Sequence, residues 1–326
     1  MEYSINEESF DSASAYWLDP ESRLNWDCLF VLPAWLRVWW GEFGDKSELY
    51  LRSVKKGDDL VGIAPLLLNG ESASFIGSHD VCDCQDFIIT PGLEKEFFEV
   101  LLENLYQQGI TRLDLRSLRP DSSVLKHLIR EARERGYKVS CDPDDVSLEL
   151  NLPSTWDGYL QILKGKQRHE VKRKLRRLNE AGDINYRVVE GSDGVKGMLG
   201  TFFDLFRKSR SDKDQFMHPK MESFFKSLAL AMAEIKILKF YILELDTRPV
   251  AVVMCFDYND TIYLYNNGYD PQFNSLSVGV NSKVLIIKDS IQKGKKKYDF
   301  LKGAETYKHR LGGEEVALSR CQIHLK

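Results

Sequence analysis

An internal repeat is the feature of this sequence that most restricts its fold. Residues 101–117 (LLENLYQQGITRLDLRS) align without a gap on residues 286–302 (IIKDSIQKGKKKYDFLK), 185 positions further on. Gly109 of the first segment meets Gly294 of the second. In both copies the pattern predicts an amphipathic helix that stops at a glycine in the left-handed conformation and is followed by a short strand.

The elements before this repeat also recur in the same order. Residues 49–68 and 240–258 each contain a strand, a polar turn and a more hydrophobic strand, which predicts a hairpin. After the helix, Asp114 in the first copy aligns with Asp299 in the second. Because the same elements recur in one order, we predict a duplicated α/β unit: tandem domains, each a mixed central sheet flanked by helices.

The two predicted domains, residues 1–150 and 151–326, differ in charge. The chain has 45 basic and 49 acidic side chains, a formal net charge of −4. Residues 1–163 carry 15 Lys and Arg against 29 Asp and Glu, whereas residues 164–326 carry 30 against 20. An acidic half followed by a basic half indicates that the second half handles an anionic ligand.

Only the second copy has a predicted helix start that suits phosphate. A helix N-terminus offers unpaired N–H groups and a partial positive charge. In the first copy Glu94 and Glu96 follow Gly92, and their carboxylates would repel an anion. In the second copy the segment from Ser275 onward contains no acid before Asp289. The predicted phosphate-binding residues are Ser277, Val278, Gly279, Val280, Asn281 and Lys283. The alternative is that Gly279 permits close packing of the helix on a strand and that Ser277 is an N-cap.

A second basic feature is the stretch of residues 164–177 (KGKQRHEVKRKLRR), in which Glu170 is the single acid. At helical spacing Val171, Leu175 and Leu178 form a narrow apolar stripe, so the helix docks along one seam and exposes its cations. The pattern fits a solvated face, an anionic substrate, a nucleic acid or a membrane surface. No aromatic residue that could stack on bases lies in the stretch, which disfavours sequence-specific nucleic-acid recognition.

Other features indicate the cellular setting. The acidic start lacks the pattern of a signal peptide, and the apolar runs 61–68 and 250–256 are far shorter than the ~20 residues that span a bilayer. We predict that both runs are buried strands. Six cysteines without a secretory signal favour reduced thiols in the cytoplasm. Residues 79–84 (HDVCDC) lack the two-pair spacing of a structural zinc site, so no metal is expected. Cys255, within a core strand, is predicted to be a packed thiol.

Several segments resemble the CelD-like (cellulose-biosynthesis-associated) branch of the GNAT acyltransferases, which is similar to the FemAB-type double-GNAT proteins. The most specific segment is residues 298–308 (YDFLKGAETYK), supported by residues 263–271 (YLYNNGYDP) and 249–256 (PVAVVMCF). In the first copy, residues 35–40 (WLRVWW) and 61–66 (VGIAPL) look like the same pattern. The resemblance implies tandem GNAT folds and acyl transfer from a thioester such as acetyl-CoA or another acyl-CoA.

Direct acyl transfer needs a base for the acceptor, a backbone N–H that donates a hydrogen bond to the oxyanion, and a proton for the leaving thiolate. Asp299 is a candidate base or nucleophile-orienting group, and Glu305 is a competing base. Lys308 is a candidate for binding an acceptor carboxylate or phosphate or for stabilising charge in the transfer. Tyr265 borders the thioester in the GNAT fold and is a candidate acid. The alternatives are structural: Asp299 matches Asp114 of the other copy, and Tyr265 fits an interior strand.

The sequence therefore predicts an acyl-CoA-dependent N- or O-acyltransferase, and acetyl is the acyl group that it favours. The resemblance implies that the acceptor is an amino or hydroxyl group of a sugar nucleotide, polysaccharide or cell-envelope precursor, and Arg168, Arg173 and Tyr307 are the candidates for binding substrate. The usual Gln/Arg-x-x-Gly-x-Gly/Ala loop is reduced to residues 276–280 (LSVGV), which leaves the donor open.

Two alternatives remain. One is a FemAB-like aminoacyl-tRNA-dependent transferase, which is less favoured because a single basic helix stands in place of a paired-helix arm. The other is a non-catalytic module that binds an anionic polymer or membrane through residues 164–177. No DNA partner is expected, and the acceptor and the oligomeric state are not determined by the sequence.

Overall fold

A computed structural model describes residues 2–325, and the chain divides into two compact units. The first unit runs up to Val146 and takes in the chain from Val316 onward. The second unit spans Ser147–Glu315.

The first unit combines strands and helices. Its strands are β1 (Tyr3–Glu7), β2 (Glu48–Lys56), β3 (Asp59–Asn69), β4 (Ser72–Phe75), β5 (Ile88–Ile89), β6 (Arg112–Leu118), the first part of β7 (Lys138–Asn151) and most of β13 (Glu314–His324). Its helices are α1 (Phe10–Leu18), α2 (Pro33–Phe43), α3 (Glu94–Gln107) and α4 (Ile129–Glu134), with 3-10 turns at Leu29–Val31 and Gly44–Lys46 and a π turn at Val124–Leu128.

The sheet of this unit follows the order β1-β2-β3-β4-β6-β13, with β5 paired to β3. Adjacent strands are antiparallel except β4 and β6, which are parallel. A parallel pair needs a crossover connection, and the segment that contains α3 supplies it. Phe97, Leu101 and Leu105 of this helix are fully buried in the core. The result is a mixed sheet covered by a helix.

The last strand of the chain belongs to the first unit. Residues 319–324 of β13 pair antiparallel with β6, and this pairing explains why the chain from Val316 onward clusters there. The observed division differs in this respect from the boundaries 1–150 and 151–326. Strand partners are chosen by hydrogen bonding and burial of one face, which nearness in sequence does not reveal.

The second unit repeats the architecture with more helices. Its strands are the rest of β7 from Ser147, β8 (Ile184–Val189), β9 (Leu238–Leu245), β10 (Arg248–Tyr258), β11 (Thr261–Tyr269) and β12 (Lys297–Lys302). Its helices are α5 (Trp156–Ile162), α6 (Gly165–Asn179), α7 (Ser192–Ser209), α8 (Ser211–Phe216), α9 (Pro219–Glu234), α10 (Val278–Gln292) and α11 (Thr306–Arg310), with a 3-10 turn at Pro271–Leu276.

The sheet of the second unit has the order β7-β12-β11-β10-β9-β8. Its neighbours are antiparallel except β11 and β12, which are parallel and are connected through α10. Each unit therefore contains one parallel pair of strands, and a crossover helix connects the two strands of that pair. This correspondence is the structural form of the repeat in the sequence.

The elements predicted from the repeat are confirmed. Residues 49–68 and 240–258 form the antiparallel hairpins β2–β3 and β9–β10. Gly109 follows α3 with φ of 78°, and Gly294 follows α10 with φ of 71°. The predicted α/β class, with mixed sheets flanked by helices, is therefore observed in both units. The two apolar runs lie in β3 and β10 and are buried, as predicted.

One expectation about the cysteines is wrong. Cys141 and Cys321, which are 180 residues apart, form a disulfide with their Cα atoms 4.2 Å apart. Both residues lie in the first unit, where the return of the chain end brings them together. Sequence spacing gives no sign of this contact because the pairing depends on tertiary structure.

A search of residues 2–325 finds no helix long and apolar enough to cross a membrane.

Gly268 shows how closely α7 packs on the second sheet. A Cβ atom at this position in β11 would lie 2.3 Å from the backbone nitrogen of Phe206 and 2.4 Å from the carbonyl carbon of Leu205. Backbone atoms of a helix cannot move aside as a flexible side chain can. The glycine therefore sets the distance between α7 and β11.

We predict that Gly268→Ala lowers the free energy of unfolding by about 1–3 kcal/mol, because the added methyl group overpacks the contact with α7. Urea denaturation measures the change. Gly197→Ala is the matched control, since Gly197 lies on α7 with open space around it, and we expect a gain of about 0.5–1 kcal/mol from reduced backbone entropy. Equal midpoints for wild type and Gly268→Ala would contradict the packing constraint.

Candidate functional site

The second unit opens where β11 and β12 part. Their parallel pairing joins 261–263 to 297–299, and both strands then continue, β11 to Tyr269 and β12 to Lys302. A bulge at Tyr265 shifts the register of β11 against β10. Leu301 adopts φ of 61°, and the register of β12 against β7 shifts at the same place. The backbone irregularities on both strands thus coincide with the opening.

Lys283 of α10 lies buried beside this opening, with 4% of its surface exposed. Its ammonium donates to the carbonyl oxygen of Gly279 at 2.7 Å and to Oδ1 of Asn267 at 3.2 Å. Burial lowers the pKa of Lys283 to about 7, and the nearby positive charge of Lys213 lowers it further. Lys283 is therefore a desolvated amine that titrates near neutral pH.

Glu305 and Lys308 form an ion pair after β12. Nζ of Lys308 lies 2.9 Å from Oε2 of Glu305 and donates to the carbonyl oxygens of Leu301, at 3.0 Å, and Lys302. Lys308 is 3% exposed, whereas Glu305 is exposed at the N-cap of α11. The lysine thus holds the turn that leads from the strand to the helix, and it leaves a carboxylate at the surface.

Tyr307 contacts Lys283 and also lines a surface cavity. The ammonium of Lys283 is 5.0 Å from the centre of the Tyr307 ring, close enough for a cation–π contact. Burial raises the pKa of the Tyr307 hydroxyl, and the charge of Glu305 adds to the effect. The phenol therefore stays protonated at neutral pH.

The cavity has a volume of about 470 Å³ and is bounded by α6, α10 and α11. Its cationic lining comprises Lys164, Lys166, Lys174 and Arg310. Burial lowers the pKa of Lys174. The acid Glu170 also lines the cavity, and its carboxylate is ion-paired with Arg173 at 2.8 Å. The cavity is therefore rich in positive charge, and it combines this charge with the apolar side chains of Val280 and Val284.

The residues predicted to bind phosphate at the start of α10 have different surroundings. Ser277 is the N-cap and adopts φ of 53°. Gly279 packs on the ring of Tyr269, where a Cβ would come within 2.9 Å. Asn281 is fully buried and donates to the carbonyl oxygens of Lys174 and Leu276. Val278 is also buried, and Val280 lines the cavity.

The packing interpretation of Gly279 thus has direct support, whereas Ser277 is the N-cap by position and its side chain makes no capping hydrogen bond. Their role in donor binding stays a prediction, and of the predicted loop it is Val280 that reaches the cavity.

The predicted catalytic residues differ in what surrounds them. Asp299 is 4% exposed and accepts from the N–H of Leu301 at 2.8 Å, with the hydroxyl of Ser147 at 3.4 Å, so it stabilises the bulge in β12. Tyr265 stacks on Phe225 of α9 with ring centres 5.5 Å apart. Glu305, by contrast, is exposed beside Lys308 and near Tyr307. The structure therefore brings Lys283, Glu305, Tyr307 and Lys308 together.

The basic stretch forms α6, and of its predicted apolar seam Val171 and Leu178 are buried and Leu175 is partly buried. Arg168 donates to the carbonyl oxygen of Leu163 at 3.4 Å, and its Nε is buried without a partner among the described residues. Arg173 makes two hydrogen bonds to Glu170, at 3.0 and 2.8 Å. Neither arginine lines the cavity, so substrate binding by Arg168 and Arg173 stays a prediction.

The cysteine-containing features singled out in the sequence are Cys255 and the segment 79–84. Cys255 is fully buried in β10, and burial raises the pKa of its thiol, so it is a packed thiol as predicted. In the segment 79–84, Nε2 of His79 lies 3.6 Å from a carboxylate oxygen of Asp145. Within residues 2–325 no group of three or more His, Cys, Asp and Glu side chains could hold a metal ion.

Comparisons with known proteins agree with this fold. Residues 165–309 match the acetyltransferase (GNAT) domain family. The fold is similar to the crystal structure of FemX, with a TM-score of 0.65, 10% identity and coverage of 98% of this chain and 96% of that chain. A tandem GNAT protein from the clavulanic acid biosynthesis pathway gives a TM-score of 0.51, 12% identity and 98% coverage of both chains. L-PGS from Bacillus licheniformis gives a TM-score of 0.52, 11% identity and coverage of 89% and 91%.

No curated protein sequence is significantly similar to this chain. At identities near 10% the structural likeness shows the fold, and the predicted tandem GNAT-like fold is confirmed. The second half of the chain is thus similar to the acetyltransferase (GNAT) domain family over residues 165–309. Its place in the CelD-like branch stays a prediction.

Lys213 and Asn267 were not singled out by the sequence, although they belong to the site. Lys213 lies on the short helix α8 and donates from its ammonium to the main-chain oxygen of Asn267. Burial lowers the pKa of Lys213 to about 8. A lysine between acids, as in residues 211–214 (SDKD), resembles a solvated helix end. The one usable signal was Asn267, which lies within the segment that carries the family resemblance.

We predict that Lys283→Met raises the melting temperature by about 5 °C near pH 6 and by less near pH 9. In the unfolded chain a lysine titrates near 10.4, whereas folding lowers the pKa of Lys283 to about 7. The folded protein therefore binds fewer protons between these values, so the cost of the buried charge is complete below pH 7 and declines as pH rises.

Differential scanning calorimetry across this range measures the effect. Lys288→Met, on the same helix but only partly buried, is the matched control. A pH-independent difference for Lys283→Met would show that the amine is not desolvated in the folded protein.

Proposed function

We propose that this protein is an acyltransferase that moves an acyl group, preferably acetyl, from acyl-CoA to an amino or hydroxyl group. The proposed acceptor is a sugar nucleotide, a polysaccharide or a cell-envelope precursor, and the proposed location is the cytoplasm. The second unit would carry the reaction. In the first unit the carboxylate of Glu94 accepts the N–H of Gly92 at 3.0 Å, and Glu96 lies in the same first turn of α3. An anion is disfavoured there, which supports a first unit that does not bind the donor.

The observation that carries the proposal is the cationic cavity beside α10. Four cations converge on a volume of about 470 Å³, which lies within the ~300–1,000 Å³ usual for small-molecule sites. Coenzyme A bears several phosphate charges, and charge-assisted hydrogen bonds to phosphate are stronger than neutral ones. Val280 and Val284 offer apolar contact to the rest of the donor. The cavity thus combines the two kinds of surface that an acyl-CoA requires.

In the proposed reaction the acceptor nitrogen or oxygen attacks the thioester carbonyl carbon. A new C–N or C–O bond forms, the C–S bond breaks, the acceptor proton passes to a base and the thiolate takes up a proton. We assign the base to Glu305, because it is the exposed carboxylate beside the opening. Asp299 is better understood as a structural residue, since hydrogen bonds within the strand occupy its carboxylate. Tyr265 and Tyr307 remain candidates for proton donation and substrate contact.

The donor site is tested by reversing charges in the cavity. We predict that Lys174→Glu and Arg310→Glu each weaken binding of acetyl-CoA at least ~10-fold, because each replaces an attraction to phosphate by repulsion. Isothermal titration calorimetry on the full chain gives the Kd. Lys172→Glu, on the exposed side of α6, is the matched control and should change the Kd by less than ~3-fold. No binding to wild type, or equal binding by all variants, would contradict an acyl-CoA donor.

The base is tested by separating chemistry from binding. We predict that Glu305→Gln lowers kcat by about 10²–10⁴-fold while the Kd for acetyl-CoA is unchanged, since a general base acts only in the chemical step. Asp299→Asn should instead lower the free energy of unfolding, because it disturbs the bulge in β12. Release of free CoA thiol measures turnover, and urea denaturation measures stability. An unchanged kcat for Glu305→Gln would remove this residue as the base.

An aminoacyl-tRNA donor is the second candidate. The fold likeness to FemX and the exposed cations Lys172, Arg176 and Arg177 on α6 favour it. Binding of tRNA through these residues should fall steeply with salt and should be lost when Arg176 and Arg177 are neutralised. Salt-insensitive or undetectable binding would eliminate this donor.

A non-catalytic module that binds an anionic polymer or membrane through α6 predicts polymer or vesicle binding without acyl-CoA binding. The same calorimetric titration of acetyl-CoA therefore separates it from both enzymes.

A further inference from the structure

Two lysine ammonium groups converge on one residue beside the opening. Nζ of Lys283 donates to the side-chain oxygen of Asn267 at 3.2 Å, and Nζ of Lys213 donates to the main-chain oxygen of the same residue. One lysine comes from α10 and the other from α8, so the sheet brings together two helices that are far apart in sequence. Asn267 thus holds two positive charges close to one another.

Neither ammonium group forms an ion pair among residues 2–325. The carboxylates that act on them from further away are Asp212 and Glu305. Each of these already has its own cation, Arg210 at 2.7 Å and Lys308 at 2.9 Å. Lys213 and Lys283 therefore lack a direct carboxylate partner among the residues that the structure describes, and their ammonium groups lie over the rings of Phe206, at 4.7 Å, and Tyr307, at 5.0 Å.

Unused donors accompany the unused charge. A lysine ammonium carries three N–H donors. Lys283 uses two of them, on Gly279 and Asn267, and Lys213 uses one, on Asn267. Three N–H groups therefore form no hydrogen bond with the described residues, and an anion with two or more oxygens is a group that would accept them.

Burial makes this arrangement costly without a counter-ion. Lys283 is 4% exposed and Lys213 is half-buried. Buried charges in proteins are normally paired, because the loss of hydration is otherwise not offset. The pKa values of Lys283 and Lys213, lowered to about 7 and about 8, agree with this cost. An anion placed between the two amines would supply the missing charge.

This place is separate from the cationic cavity. Tyr307 lines the cavity, and the centre of its ring is 5.0 Å from Nζ of Lys283, whereas Lys213 and Lys283 are not part of the cavity lining. Tyr307 thus lines the cavity and also contacts Lys283 of the lysine pair.

We propose that Lys213 and Lys283 bind a carboxylate or phosphate group of the acyl acceptor, so that the acceptor is an anionic compound. The assignment of the anion to the acceptor rests on the proposed acyl transfer, whereas the anion site itself does not.

The test uses inorganic phosphate and the full chain carrying Lys174→Gln and Arg310→Gln, which removes two cations from the cavity. A ligand that binds the folded state raises the melting temperature. We expect millimolar phosphate, against chloride at equal ionic strength, to raise the melting temperature of this background. Adding Lys283→Met should abolish the rise, and adding Lys213→Met should reduce it by at least half. Adding Lys288→Met, on the same helix as Lys283, should leave the rise unchanged.

An equal rise in all variants, or no rise in the background, would overturn the anion site. Far-UV circular dichroism and the melting temperature without phosphate show whether each variant folds. If Lys283→Met does not fold, Lys213→Met, at a half-buried position, provides a second test.

Titrations with glucuronate and with glucose in the same background test whether the site accepts a carboxylate. A shift with glucuronate that glucose does not produce supports a carboxylate acceptor group, and equal shifts with the two sugars count against one. Because these titrations use no CoA, failure of the anion site and failure of the acyl-CoA proposal are distinguishable.

Discussion

The short parallel pairing of β11 with β12 is the constraint on which the second unit depends. Parallel strands require a crossover, and α10 makes it by packing across β9, β10 and β11. The pairing covers three residues on each strand, and the strands then separate. Asn267 on β11 and the turn after β12 lie in the parts that have separated, where Lys283 reaches Asn267 and the ring of Tyr307. The crossover that builds the sheet thus also brings a buried amine to its opening.

Charge is distributed around that opening in two ways. In the turn after β12, Lys308 is satisfied by two carbonyl oxygens and by Glu305, so its charge stabilises the backbone. Lys283 and Lys213 contact only neutral groups, the oxygens of Gly279 and Asn267 and the rings of Tyr307 and Phe206, and burial opposes their protonation. A cation held by a carboxylate is a structural element, whereas cations held by neutral groups retain attraction for an anion from outside. The difference lies in the partners, since all three residues are lysines.

Much of the fold was predictable because local patterns determine it. Helix stops at Gly109 and Gly294 require a left-handed backbone that glycine adopts at little cost, and both are observed. The hairpins and the buried runs followed from strand patterns in the same way. The return of β13 to the first unit and the Cys141–Cys321 disulfide were not predictable, because both depend on contacts between residues about 180 or more positions apart.

The sequence by itself determined two related α/β units, the acidic first turn of α3 and the basic character of α6. These are properties of residue type and spacing, because they depend on interactions between residues that are close in sequence. Only the tertiary structure decided which charges matter: Lys283 points from α10 into the protein, Asn281 ties the helix to α6, and Asp299 holds a bulge. The direction of a side chain depends on how its helix or strand is rotated against its neighbours. That rotation is fixed by packing such as the contact of Gly268 with α7, which is a property of the assembled unit.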